Sequence, residues 1–248
     1  MRIKSIFKTL SAAALAMCIG GSAYAETLKV GTNAGYAPFE FTEGSNVVGF
    51  DIDVIKAIGE ASGFDVEIVD MPFDNLENAL NNGTVNIVIA ALSITPERSQ
   101  KMDFSESYYA SGLSILVRQE DQGTYAKAED MQGKVLCAQS GSTGAEEAER
   151  LSPGNVKRFS SQPEAFMELQ SRRCDGVIND RPVNLYFLSS KGIKDIVEIS
   201  DILSAEDYGI AVKKGDAATL KRIDDGLKKI KTTGKYVMIH RKWFAVGQ

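Results

Sequence analysis

The chain is expected to form an α/β protein of two lobes, each built on a mainly parallel sheet flanked by helices. Three observations lead there. Short apolar strands alternate with amphipathic helical stretches. That rhythm stops and restarts near the middle of the chain. In both halves polar clusters follow the strands, from Ser93 to Arg98, from Ser140 to Gly144, and at Asp180-Arg181. In open α/β sheets ligands sit beyond the carboxyl ends of the strands, so polar strand ends from two lobes define an expected cleft.

The elements follow in order. Leu28 to Val30 reads as a strand. Asp51 to Ser62 reads as a helix, with Val54, Ile55 and Ile58 at helical spacing and Gly63 as its stop. Val66 and Ile68 alternate as a strand. Phe73, Leu76, Ala79 and Leu80 mark a helix face that ends at Asn81-Asn82-Gly83. Val85 to Ala91 is a near-continuous apolar run, as a buried parallel strand requires. Gln119 to Lys127 is a polar surface loop. The second set opens with a strand at Lys134 to Ala138, a turn at Ser140 to Gly144 and a polar helix through Arg150. Ser161 and Glu164 fit a capping box that opens a helix through Gln170. Asp175 to Asn179 and Gly209 to Val212 are strands. Leu220, Ile223, Leu227 and Ile230 line one side of a helix, and Tyr236 to Phe244 makes a final short one.

Of 248 residues, 44% are hydrophobic and 25% charged, the mix of a globular protein, which excludes disorder, collagen and a coiled coil. A net charge of −5 argues against a nucleic-acid partner gripped through phosphates. One histidine and three cysteines leave little room for a metal centre or a histidine-based triad. Spacing for zinc, a P-loop, a dinucleotide fingerprint or a G-x-S-x-G elbow is absent, so no cofactor, no metal and no catalytic residue is expected.

Residues 1–25 read as a cleavable secretion signal: Arg2, Lys4 and Lys8, then an uncharged apolar run from Leu10 to Gly20, then Ala23-Tyr24-Ala25. The run is about half of the ~20 residues a membrane span needs. Cys18 carries an alternative, a lipoprotein, against which bulky Met17 stands. Cleavage removes three basic and no acidic residues, taking the net charge from −5 to −8. The expected destination is the bacterial periplasm. Cys137 and Cys174 remain, and an oxidising compartment points to a disulfide between them, with two buried thiols as the alternative. Closing that loop of about 37 residues would add roughly 3–4 kcal/mol in the chain-entropy model.

Several stretches, in one order, carry a resemblance. They are Tyr36-Ala37-Pro38-Phe39-Glu40, Val48-Gly49-Phe50-Asp51-Ile52-Asp53, Ala91-Leu92-Ser93-Ile94-Thr95-Pro96-Glu97-Arg98 and Met102-Asp103-Phe104-Ser105 before Tyr108-Tyr109. Gln139-Ser140-Gly141-Ser142-Thr143, Tyr208-Gly209-Ile210-Ala211 and Lys242-Trp243-Phe244 complete the set. From Leu28 to Phe244 the chain resembles the extracytoplasmic solute-binding proteins that feed polar amino acids to ABC importers. The resemblance implies a type II periplasmic-binding-protein fold. Lobe 1 is then 26–107 plus 209–248 and lobe 2 is 113–203, joined by hinges at 108–112 and 204–208. It further implies a monomer that delivers an amino acid to an inner-membrane permease.

An amino acid is a zwitterion, and a closed cleft has to pair both its charges. Arg98, whose planar fork matches two oxygens, is expected to hold the α-carboxylate, as the family places an arginine there. Asp180, which could equally cap a helix, is expected on the α-ammonium. Ser93 is expected to serve both ends, with the carbonyl of Ala91 on the ammonium. Thr143, with Ser142 beside it, lies where free N–H groups and a helix dipole favour an anion. Tyr36 and Phe73 match positions that sandwich the ligand side chain, and core packing is their plainer use. Asn33 and Gln139 match positions that read its far end. Two amides suit a neutral polar side chain better than an isolated charge. An acidic ligand comes second, through Arg181 turned inward. Asp51 and Asp53 read as a helix N-terminus with favourable dipole contacts, and His240 as part of a solvated face. Two alternatives use the same fold: a cyclohexadienyl (arogenate or prephenate) dehydratase, for which no spare acid is evident, and a sensor that presents its ligand to a receptor.

Overall fold

The structure, a computed structural model, describes residues 25–190 and 192–244. The expected secretion signal and Cys18 lie outside the described residues, Ala25 excepted. The first sheet opens with β1 (Glu26–Thr32), and a small antiparallel unit follows of β2 (Gly35–Tyr36), β3 (Glu40–Glu43) and β4 (Asn46–Val48). Helix α1 (Phe50–Ser62) buries Val54, Ile55 and Ile58. It stops at Gly63, where a left-handed φ of 76° lets the N–H reach the carbonyl of Gly59. β5 (Phe64–Asp70) returns parallel to one edge of β1. After α2 (Leu76–Asn81), β6 (Ile87–Val88) runs parallel to the other edge. The expected strand from Val85 to Ala91 thus contributes two residues of ladder. The backbone turns out of it and reaches a left-handed φ of 46° at Ala91.

The chain continues through α3 (Pro96–Lys101) and β7 (Met102–Phe104), then crosses on β8 (Tyr109–Ser111). The second sheet is built from β9 (Leu113–Arg118), β10 (Leu136–Gln139), β11 (Val156–Phe159), β12 (Gly176–Asp180) and β13 (Ile196–Ile202). Between these strands lie α4 (Thr143–Leu151), α5 (Gln162–Gln170) and α6 (Arg181–Ser190). The return runs on β14 (Glu206–Tyr208), antiparallel to β8, and ends in β15 (Ala211–Lys213), α7 (Ala217–Thr232) and α8 (Lys235–Phe244). The strand orders are β5-β1-β6-β15-β7 and β11-β10-β12-β9-β13. In each sheet three adjacent strands are parallel and the last two pair antiparallel. Both sheets are therefore mainly parallel, and the fold is the expected α/β pair. Among the described residues no helix is long and apolar enough to cross a membrane.

Four local features refine these expectations. Ser161 precedes α5 but makes no side-chain cap; Ser160 donates to Glu164 in its place, 3.2 Å away. Cys137 on β10 and Cys174 ahead of β12 are buried and in contact, each a free thiol in this structure. Parallel pairing of the two strands brings them together without a covalent bond, and the contact with Cys137, then burial, pushes the Cys174 thiol up so that it keeps its proton. His240 is half-buried: one side of its ring packs 6.0 Å from Tyr109, at 24° to it, and against Phe50 and Phe244. Asp53 accepts from Lys242 at 2.7 Å and from the Trp243 indole N–H at 2.8 Å, which pins α8 to α1.

The start of α1 explains two of the sequence stretches at once. Its free N–H groups at Phe50 and Asp51 donate to the carbonyls of Pro38 and Phe39, each at 2.9 Å. That approach requires Gly49: its φ is 137°, and a Cβ there would stand 2.0 Å from the carbonyl oxygen of Phe39. Gly49→Ala is therefore expected to cost about 3 kcal/mol or more, measured as a drop in urea midpoint with unchanged slope.

Candidate functional site

A small, nearly closed cavity lies between the two sheets. All ten side chains expected there line it: Asn33, Tyr36, Phe73, Ala91, Ser93, Arg98, Gln139, Ser142, Thr143 and Asp180. Glu40 and Ala90 join them.

Arg98 reaches the cavity because α3 starts correctly. Thr95 caps the helix, accepting from the N–H of Arg98 at 3.2 Å, and Pro96 occupies its first turn. The guanidinium stacks over the Phe73 ring at 5.6 Å from its centre. It donates to the carbonyl of Ser93 at 2.9 Å and, across the cavity, to that of Gly141 at 3.0 Å. Phe73 thus holds the arginine as well as lining the cavity.

Asp180 ends β12 and is 6% exposed. Tyr36 donates its hydroxyl to this carboxylate, and the hydroxyl oxygen also lies 2.6 Å from Asn179 Oδ1. Tyr36 is therefore a polar partner as much as an aromatic wall. Burial, and next the charge of Glu206, push Asp180 up to about 7. No ion pair joins Asp180 to Arg98 among the described residues.

The amides form one end. Gln139 donates through Nε2 to Asn33 Oδ1 at 2.8 Å and to the carbonyl of Ser160 at 3.3 Å. Asn33 donates to the carbonyl of Met71 at 2.9 Å. Both N–H groups of Gln139 and one of the two on Asn33 are thus committed within the protein, which leaves accepting capacity and one Asn33 N–H. Ser142 caps α4, accepting from Ala145 at 3.1 Å and donating to the carbonyl of Gln139 at 2.8 Å, so its role is to shape the turn. Thr143 opens the helix behind it. Arg181 points away and pairs with Glu198 at 3.2 Å outside the cavity.

Sequence reasoning passed over two carboxyls that matter. Asp51 is wholly buried beneath the cavity and accepts from the N–H of Ala91 and the hydroxyl of Tyr108, both at 2.8 Å. It therefore holds Ala91 in its left-handed conformation, and is more than a helix-start charge. Glu40, 1% exposed, shares a hydrogen bond with the buried carboxylate of Asp51. Burial first, and the neighbouring Asp51 carboxylate second, raise it well above the usual range, so it keeps its proton. Its place opposite Tyr36 in the β2–β3 pairing was the available clue.

Burial pushes Asp51 up to about 6, against its hydrogen bonds, and Asp180 to about 7. A carboxyl raised on folding binds its proton more tightly in the native state. Its stabilisation is complete below about pH 4 and is lost as pH rises through about 6 and 7. The thermal midpoint of the protein in the absence of added ligand is expected to be higher at pH 5.5 than at pH 8, and Asp180→Asn to flatten that slope above about pH 6. Calorimetric scans across that range check it.

A family model described as bacterial extracellular solute-binding proteins, family 3, matches residues 28–246. A probable histidine-binding protein of Neisseria gonorrhoeae is 35% identical over 223 residues, covering 88% of this chain and 82% of its own. The solved structure of an ancestral arginine-binding protein bound to glutamine superposes with a TM-score of 0.83 at 38% identity, covering 88% of this chain and 97% of its own. That of an ancestral amino acid-binding protein, a precursor of cyclohexadienyl dehydratase, gives 0.79 at 34%, covering 88% and 95%. With a fold of two mainly parallel sheets, one cavity between them and a match over nearly the whole length, the chain belongs to the bacterial extracellular solute-binding proteins of family 3, a family of binding proteins and not of enzymes.

Proposed function

We propose that this protein binds a polar amino acid with a neutral, donor-bearing side chain and delivers it to an ABC importer. The observation that carries this reading is the placement of Arg98 and Asp180. The two opposite charges line one cavity, Arg98 from helix α3 of the first half and Asp180 from the end of β12 in the second sheet, and no ion pair joins them among the described residues. A bound zwitterion satisfies both. The carboxylate lies on Arg98 and the backbone N–H of Thr143, at the positive end of α4. The ammonium lies on Asp180, Ser93 and the carbonyl of Ala91. The side chain runs between Tyr36 and Phe73 to Asn33 and Gln139, whose accepting oxygens suit an amide N–H₂.

In this reading lobe 1 is 26–107 plus 209–248, lobe 2 is 113–203, and residues 108–112 and 204–208 are the hinges about which the cleft closes. Residues 1–25 direct the chain to the periplasm, where it works as a monomer with an inner-membrane permease. The dehydratase alternative loses ground. The family is one of binding proteins, and the superposed dehydratase precursor is itself described as an amino acid-binding protein.

The test is a thermal-shift screen of refolded protein against the twenty amino acids and arogenate. A ligand at about 100 times its Kd stabilises by ~2.7 kcal/mol. Glutamine or asparagine is expected to respond. A response to arginine or histidine alone would make the Asn33 and Gln139 end a seat for a cation, and turnover of arogenate would overturn the transport reading. Arg98→Ala is expected to weaken binding at least about a hundredfold and Asp180→Asn at least about tenfold, by calorimetry, with the fold intact.

A further inference from the structure

Glu206 stands outside the residues expected from sequence, on the return crossing strand β14. An isolated bridge between Ser93 and Tyr208, and a 2.8 Å bond from the N–H of Ile94 to the carbonyl of Asp207, lay that strand against the Ser93 loop. One oxygen of the Glu206 carboxylate accepts twice: from the hydroxyl of Ser93, and from that of Thr143 at 3.1 Å. Its other oxygen accepts from Ser204 at 3.3 Å. Ser93 follows a strand of the first sheet and Thr143 one of the second, and both line the cavity.

A hydroxyl has one proton to donate and two lone pairs. We infer that Glu206 is a positioning residue for ligand recognition: by taking the hydroxyl protons of Ser93 and Thr143 it makes both oxygens acceptors toward the cavity. Beside Asp180 and the carbonyl of Ala91, this gives the ammonium end a wall made of acceptors. The α-carboxylate is left to Arg98 and to backbone N–H groups, because the Thr143 hydroxyl has no proton left to offer it. Such a wall suits the three N–H donors of a primary ammonium and disfavours the matching α-hydroxy acid, which brings one donor and no charge. The inference rests on the amino-acid reading and adds to it a source of selectivity for the free amine.

Glu206→Gln tests this at nearly constant shape, since an amide N–H₂ would donate to those oxygens and turn their protons back into the cavity. The probes are L-glutamine, L-arginine and L-histidine and their α-hydroxy counterparts, titrated by calorimetry into wild type, Glu206→Gln, Ser93→Ala and the double variant. The amino acid bound best by wild type is expected to lose about tenfold or more in affinity with Glu206→Gln. Its margin over the α-hydroxy acid should shrink, and the loss should be much smaller in the Ser93→Ala background. A Kd within about twofold of wild type, or the same loss in both backgrounds, overturns the assignment while the amino-acid reading stands. Absence of binding by wild type overturns both. Should Glu206→Gln fail to fold, Glu206→Asp, which keeps the acceptor, is expected to retain the amine preference, and its loss would overturn the assignment.

Discussion

Asp51 holds the first half of the cavity in place. Its carboxylate, buried at the start of α1, takes the N–H of Ala91 and the hydroxyl of Tyr108. The first bond fixes a left-handed alanine at the cavity edge, from which the chain runs through Ser93 to Arg98. The second ties the approach to the crossing strand β8 to the same point. Burial of that charge is costly, which its raised pKa records. The start of α1 offsets part of the cost through its dipole.

The second half is organised by strand ends. β10 ends at Gln139 and β12 at Asp180, adjacent and parallel, so a side-chain amide and a carboxylate emerge side by side. Contacts then cross between the halves: Tyr36 to Asp180, Gln139 to Asn33, Arg98 to Gly141. Each joins a residue of one half to a residue of the other. The arrangement therefore depends on how the two halves meet, and a substitution at any one of these groups acts on both.

Much of this was legible in the sequence. Helical spacing located α1 and α7, and an apolar run located the buried core of the first sheet. The ten cavity residues came from motif order and not from periodicity. What stayed hidden was decided by neighbours distant in the chain. Glu40 and Asp51 carry no local mark of burial, yet both lie inside, at 1% and 0% exposure. His240 sits in a basic stretch, yet the aromatic rings of Phe50 and Tyr109 cover one side of it. Arg181 is adjacent to Asp180, but one step past the strand end turns it toward Glu198. Glu206 lies 113 residues from Ser93, and no local pattern predicts that meeting.

The position of β15 has a consequence for how the molecule is assembled. This strand, Ala211–Lys213, sits inside the first sheet between β6 and β7, although it is the last strand of the chain. A chain emerging from its N-terminus can pair β1, β5 and β6 early, but the open edge of β6, apolar Ile87 and Val88, waits for nearly the whole sequence. The second sheet draws all five strands from one continuous segment and is free of that delay. Closing the long loop to β15 is the slow, late step that high contact order imposes. Until then the first half stays incomplete, with an exposed strand edge to protect.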